Sequence, residues 1–133
     1  MITSNQISDF ETEGFLKLEN LLNSDEMVFY SKTYDAFINN EFDTAGLRSD
    51  LSGIEGQNVE YITQIMLPSR VFPVLLNRPM HQKGLQIAKQ LLGADMVLDF
   101  DMLINKAPHT NKPTPWHQDA AYWIDMPDKR SVS

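Results

Sequence analysis

The residues best suited to chemistry stand together in Thr114-Pro115-Trp116-His117-Gln118-Asp119-Ala120-Ala121-Tyr122-Trp123. On an extended backbone residues i and i+2 project to the same side, so His117 and Asp119 can offer an imidazole nitrogen and a carboxylate oxygen to one metal ion. They are two legs of a facial triad. Two histidines and one carboxylate on one face of an octahedral ion leave three positions open, which suits an Fe(II) that must hold a co-substrate and O2 together. The spacing alone carries little weight. With three His and 11 Asp among 133 residues, a His-x-Asp pair arises by chance in roughly one chain in four. Taken out of context, a histidine simply hydrogen-bonded to the aspartate is the plainer account. Context must do the rest: the pair follows a strong strand and a polar, Pro-containing loop from Lys106 to Pro115, and Trp116, Tyr122 and Trp123 beside it are suited to wall a substrate pocket.

The elements that must position this pair are readable upstream. Residues 7–22 suggest a short helix, a stop at Gly14 and a brief strand through Phe15, Leu16 and Leu18. Asn23 with Glu26 forms a capping box for a second helix, whose Met27, Tyr30, Tyr34, Phe37 and Ile38 recur at helical spacing up to about Asn39. Residues 40–58, rich in Gly, Ser and Asp, read as a long surface loop that orders around a ligand. Val59 to Leu67 is β-branched and aromatic and stops at Pro68, which predicts a strand. Two helical pieces follow, one between Pro68 and Asn77, the other from Pro79 with Leu85, Ile87, Ala88, Leu91 and Leu92 on one face and Gly93 as its cap. Met96, Leu98, Phe100, Met102 and Ile104 then alternate along one face of a strand, with Asp99 and Asp101 on a solvated outer face. Helices therefore come first and a β-region follows. No repeat, low-complexity tract or second domain interrupts residues 1–133.

Several of these segments together resemble the phytanoyl-CoA dioxygenase family. Met102-Leu103-Ile104-Asn105-Lys106-Ala107-Pro108, a short loop, Pro115-Trp116-His117-Gln118-Asp119 and an aromatic pair are similar to that family's strand, loop and metal-binding strand. Phe10 to Leu18 resembles its opening, and Tyr61-Ile62-Thr63-Gln64 before Pro68 resembles the strand ahead of its paired helices. The resemblance implies an α+β chain in which N-terminal helices pack on an incomplete double-stranded β-helix (a jelly-roll, cupin-like sheet), with His117 and Asp119 binding Fe(II). It implies a hydroxylase that couples oxidative decarboxylation of 2-oxoglutarate by O2 to hydroxylation of an aliphatic carbon. By family position, Asn105 and Met102 touch 2-oxoglutarate, while Gln64 and Trp123 face co-substrate or substrate. Strict alternation sets Met102 and Asn105 on opposite faces, so both line one cavity only if a bulge or twist separates them. Asn105 is the stronger of the two, because a buried amide donates to a carboxylate whereas Met102 is equally well explained as core.

The family's second histidine ligand and the cation that pairs with 2-oxoglutarate lie far downstream of the first pair. Here Ser133 is only 14 positions beyond Asp119, and His81 and His109 stand upstream of it. The expectation is a truncated N-terminal part of an oxygenase domain, inactive as it stands, since Fe(II) affinity depends on ligand count. The alternative is a non-catalytic relative serving as a binding or interaction module, and a third possibility pairs two chains to complete the barrel.

Bulk properties exclude other classes. The chain has no cysteine, hence no disulfide framework or thiolate metal site. Its formal charge of −7 argues against a nucleic-acid partner. No apolar run approaches a membrane span and the N-terminus lacks the order of a signal peptide, so a cytoplasmic protein acting on a small molecule is expected. The oligomeric state and the substrate are not encoded in any local pattern.

Overall fold

The computed structural model describes residues 1–52, 60–109, 113–119 and 127–133. Helix α1 (Ser4–Glu13) starts at a capping box in which the Thr3 hydroxyl accepts from the Gln6 backbone N–H (3.2 Å) and the Gln6 side chain accepts from the Thr3 N–H (2.9 Å). It stops at Gly14, whose φ of 78° belongs to the left-handed region that a Cβ disfavours. The strand expected just after it does not form. Residues 15–18 have no regular structure and Phe15 is exposed, because no strand of the sheet takes them as a partner.

Helix α2 (Ser24–Ile38) begins at the expected capping box of Asn23 and Glu26, with bonds of 2.8 and 2.9 Å, and Asp25 and Glu26 complement the positive end of its dipole. Of its predicted apolar face, Phe37 is fully buried and Tyr30, Tyr34 and Ile38 half-buried, but Met27 is exposed and Phe29 packs on the core instead.

Three antiparallel strands follow in the order β1 (Arg48–Asp50), β2 (Ile62–Met66), β3 (Met102–Lys106). The short β1 lies inside the stretch expected to be loop. Its three residues carry no apolar pattern and are strand only because they pair with β2, Arg48 opposite Ile65 and Asp50 opposite Thr63. Asp50 also binds the far end of its own connection, accepting from the Ser52 hydroxyl (2.7 Å) and the Ile62 N–H (3.0 Å). These bonds, the Ser52 hydroxyl foremost, hold its carboxyl down to about 2.

Between β2 and β3 run α3 (Pro68–Val71), a 3-10 turn (Pro73–Asn77) and α4 (Pro79–Leu92), each opening on proline, whose fixed φ and missing N–H suit a first helical position. In α4 the predicted apolar residues Leu85, Ile87, Ala88, Leu91 and Leu92 are all half-buried. Gly93 ends α4 at φ 126°, and a Cβ there would stand 2.7 Å from Asp95 Oδ1 and 2.9 Å from Arg130 Nη1.

Strand β3 corrects the sequence reading twice. It starts at Met102 rather than Met96, and the residues expected to be core, Leu98, Phe100, Met102 and Ile104, are all exposed. The alternation is real, but the helices cover the other face. Leu103 packs against a centre of Phe37, Ile65 and Leu75, closed by the tilted stack of Phe37 on Phe42 (4.5 Å) and Phe42 on Phe72 (5.2 Å). Arg48 ties this face to the end of α2, donating to the carbonyls of Phe37 (2.9 Å) and Ile38 (3.2 Å) while gripping Glu60. Among the described residues no helix is long and apolar enough to cross a membrane.

Candidate metal and co-substrate site

Register sorts the sheet residues into two sets, because residues opposite one another in a ladder share a face. Arg48, Asp50, Thr63, Ile65, Leu103 and Asn105 face the helices, and Thr63 and Ile65 among them are buried. Ser49, Ile62, Gln64, Met66, Met102, Ile104 and Lys106 form the opposite face, on which Met102 and Ile104 are exposed.

Met102 and Asn105 therefore part company. The β2–β3 ladder runs without a break from Met66 opposite Met102 to Ile62 opposite Lys106, so the bulge needed to bring them together is absent. The Asn105 side chain is taken by α2, its carbonyl oxygen accepting from the Tyr34 hydroxyl at 2.5 Å. Burial, and then the charge of Asp35, keeps that phenol protonated beyond its ordinary range. Met102 instead meets Gln64 on the open face, where the Gln64 amide nitrogen lies against the sulfurs of both Met66 and Met102.

His117 and Asp119 converge although they do not lie on a strand. Residues 113–118 have no regular hydrogen-bonded structure, yet His117 Nε2 stands 3.3 Å from Asp119 Oδ1. The other ring nitrogen, Nδ1, is 2.8 Å from the Pro115 carbonyl oxygen. A carbonyl only accepts, so Nδ1 carries a proton there while Nε2 is turned toward the carboxylate. A proton on Nε2 satisfies the pair; so does a metal ion, for two cis ligands each about 2.1 Å from one octahedral ion stand about 3 Å apart. The Nδ1–H to carbonyl bond is also the kind of outer contact that orients a metal-bound imidazole. The donor set and its spacing fit a divalent ion held by two protein ligands, and among the described residues no group of three or more His, Cys, Asp or Glu side chains comes together.

Of the aromatics beside the motif, Trp116 is fully exposed, and Tyr122 and Trp123 lie outside the described residues. A groove of about 570 Å³ lined by Phe42, Asp43, Leu47 and Arg70 includes neither His117 nor Asp119.

The family model for phytanoyl-CoA dioxygenase matches residues 10–133. The chain belongs to the phytanoyl-CoA dioxygenase family. It is similar to the ectoine dioxygenase of Streptomyces avermitilis, 24% identical over 135 residues that take in 99% of this chain and 44% of the relative. The ectoine dioxygenase of Streptomyces anulatus matches to the same extent, 24% over 135 residues. The chain thus spans less than half, 44%, of the length of these relatives. No solved structure matches it significantly. The family's description and the names of both relatives are those of dioxygenases.

Sequence reasoning missed a polar cluster under β3. Asp101, expected on a solvated face, turns inward: its carboxylate accepts from the Ser69 hydroxyl (2.9 Å) and N–H (3.0 Å) and meets His81 Nε2 at 3.0 Å. Its backbone carbonyl also accepts from the Leu67 N–H at 2.9 Å. The side-chain partners His81 and Ser69 lie 20 and 32 positions away in the chain, and no local pattern announces them.

Proposed function

We propose that these residues are the N-terminal part of a hydroxylase that uses Fe(II), 2-oxoglutarate and O2 on a small-molecule substrate, with His117 and Asp119 as two of its three metal ligands. The observation that carries this reading is the 3.3 Å approach of His117 Nε2 to Asp119 Oδ1, with the Nδ1 proton committed to Pro115. The bound ion supplies a centre on which an oxo-acid co-substrate and O2 can meet. His117 and Asp119 hold it, and the Pro115 carbonyl fixes the ring.

In this reading the three-stranded sheet is one wall of a double-stranded β-helix, and the face bearing Gln64, Met66, Met102 and Ile104 is its interior. Its support is that, among the described residues, the helices pack on the other face. Met102 and Gln64 then line the co-substrate side. Asn105 becomes a brace between β3 and α2 rather than a contact to 2-oxoglutarate, and Trp123 remains the proposed substrate aromatic. The third ligand and the cation for the distal carboxylate come from further polypeptide, in keeping with relatives more than twice as long. The 133 residues alone are expected to turn over no substrate.

An anaerobic titration of the chain with Fe(II) and then 2-oxoglutarate tests the assignment. A visible charge-transfer band should develop in the wild type and vanish in His117→Ala and Asp119→Ala. Equal metal affinity in the wild type and in the double variant would sink the reading. A second reading, a non-catalytic binding module, draws on the absence of a third clustered ligand among the described residues. A longer polypeptide that still lacks a downstream His and a nearby Arg would favour it.

A further inference from the structure

The strand residues of the open face offer donors from Gln64 and Lys106 and include no carboxylate. Gln64 presents an amide N–H2 whose neighbours are the thioether sulfurs of Met66 and Met102, and sulfur is a weak acceptor. Lys106, opposite Ile62 in the ladder, lies on the same face diagonally from Gln64, a separation that long side chains span. Its ammonium reaches the Thr114 hydroxyl at 3.4 Å, three residues before His117. Once that oxygen accepts from the ammonium, the Thr114 O–H is a further donor.

Among the described strand residues no carboxylate offsets these groups. Ser49, Ile62, Gln64, Met66, Met102, Ile104 and Lys106 include no Asp or Glu, and no ion pair to Lys106 is made among the described residues. Glu60, the nearest acid along β2, is turned to the helix side, where Arg48 (2.9 Å) and the Thr63 hydroxyl (2.8 Å) hold it. In a chain with a formal charge of −7, one cation on a face whose described strand residues include no acid stands out. Beside it Ile62 and Ile104 offer apolar surface, and Met102 lies further along the same face.

We infer that Lys106 is a specificity-determining residue that receives the carboxylate of a ligand lying over this face, with Gln64 as its neutral donor partner. The inference rests on the oxygenase reading in taking this face as the interior. The same chemistry serves either a carboxylate of the co-substrate or one on the substrate itself. A ligand with an aliphatic body and an anionic end suits the face, the body against Ile104 and Met102 and the end at Lys106.

The test is NMR titration of the 133-residue chain, following the Gln64 side-chain amide, with 2-oxoglutarate, hexanoate and neutral hexanamide as probes. The carboxylates should shift the Gln64 amide, bind roughly tenfold more weakly to Lys106→Met, and bind normally to Lys106→Arg. Hexanamide should not distinguish the variants. Dependence on Lys106 for 2-oxoglutarate alone identifies the co-substrate as the source, and for hexanoate alone the substrate; either supports the inference. Undiminished binding of both acids by Lys106→Met, or an unmoved Gln64 amide in the wild type, overturns it. Manganese broadening of His117 signals, recorded in parallel, separates the two ideas. Metal bound with unchanged acid affinity in Lys106→Met removes only the role of Lys106. Loss of all specific broadening removes the oxygenase reading and leaves the carboxylate result standing.

Discussion

His117 and Asp119 owe their approach to short-range bonding rather than to a sheet. The Nδ1–H bond to Pro115 fixes the ring within three residues of chain, so the pair keeps its spacing without a ladder on either side. Replacing Asp119 by Asn keeps the size and removes the charge, and metal affinity measured by calorimetry should fall by more than about tenfold. The same change should leave the thermal midpoint nearly unmoved, because both side chains are substantially exposed. Gly93 is the opposite case, a residue of structural consequence with no chemistry. Gly93→Ala forces a Cβ against Asp95 and Arg130 at a φ of 126° and should cost on the order of 1–3 kcal/mol in a denaturant titration.

The joints between helices and strands rest on a few polar side chains. Arg48 joins β1, the end of α2 and Glu60, and the Arg48 guanidinium beside Glu60 holds that carboxyl below its usual range. A depressed acid contributes stability that is complete above its unfolded value and is lost as pH falls through the folded one. Acid unfolding followed by circular dichroism should therefore draw part of its slope from Glu60, in the window below the ordinary glutamate value. Arg48→Met should flatten that part of the curve as well as lowering stability at neutral pH. A profile with the wild-type slope would contradict the coupling. Tyr34→Phe frees the Asn105 amide and should loosen β3, seen as faster hydrogen exchange of the Leu103 and Asn105 amides relative to those of α4.

Taken as a whole, the chain has one covered sheet face and one open one, and truncation mutants distinguish them. Ile65→Ala, at a site with no exposure, should cost about 2–5 kcal/mol, whereas Ile104→Ala, about half exposed on the opposite face, should cost under about 1 kcal/mol. Comparable losses at both would mean that the open face is covered in solution. Leu98, Phe100, Met102 and Ile104 together leave an apolar strip that invites association, so the isolated chain should bind a hydrophobic dye and aggregate with rising concentration.

Much of this was legible in the residue order. Caps at Asn23 and Gly14, prolines opening α3 and α4, and the β-branched run of β2 are local signals, because propensity and capping act within a few positions of chain. That His117 and Asp119 stand close follows from their two-residue spacing, again a local matter. What tertiary structure alone decided is which face of an alternating strand the helices cover. Met96 to Ile104 alternates equally well whichever side is buried, and only the β2–β3 register and the position of Phe37 turned Leu103 and Asn105 inward and Met102 outward. Strand β1, the inward turn of Asp101 and the bond from Tyr34 to Asn105 were likewise invisible, since each depends on a partner brought near by folding. Short-range preferences are written in neighbouring residues; the choice of face is made by whatever packs against it.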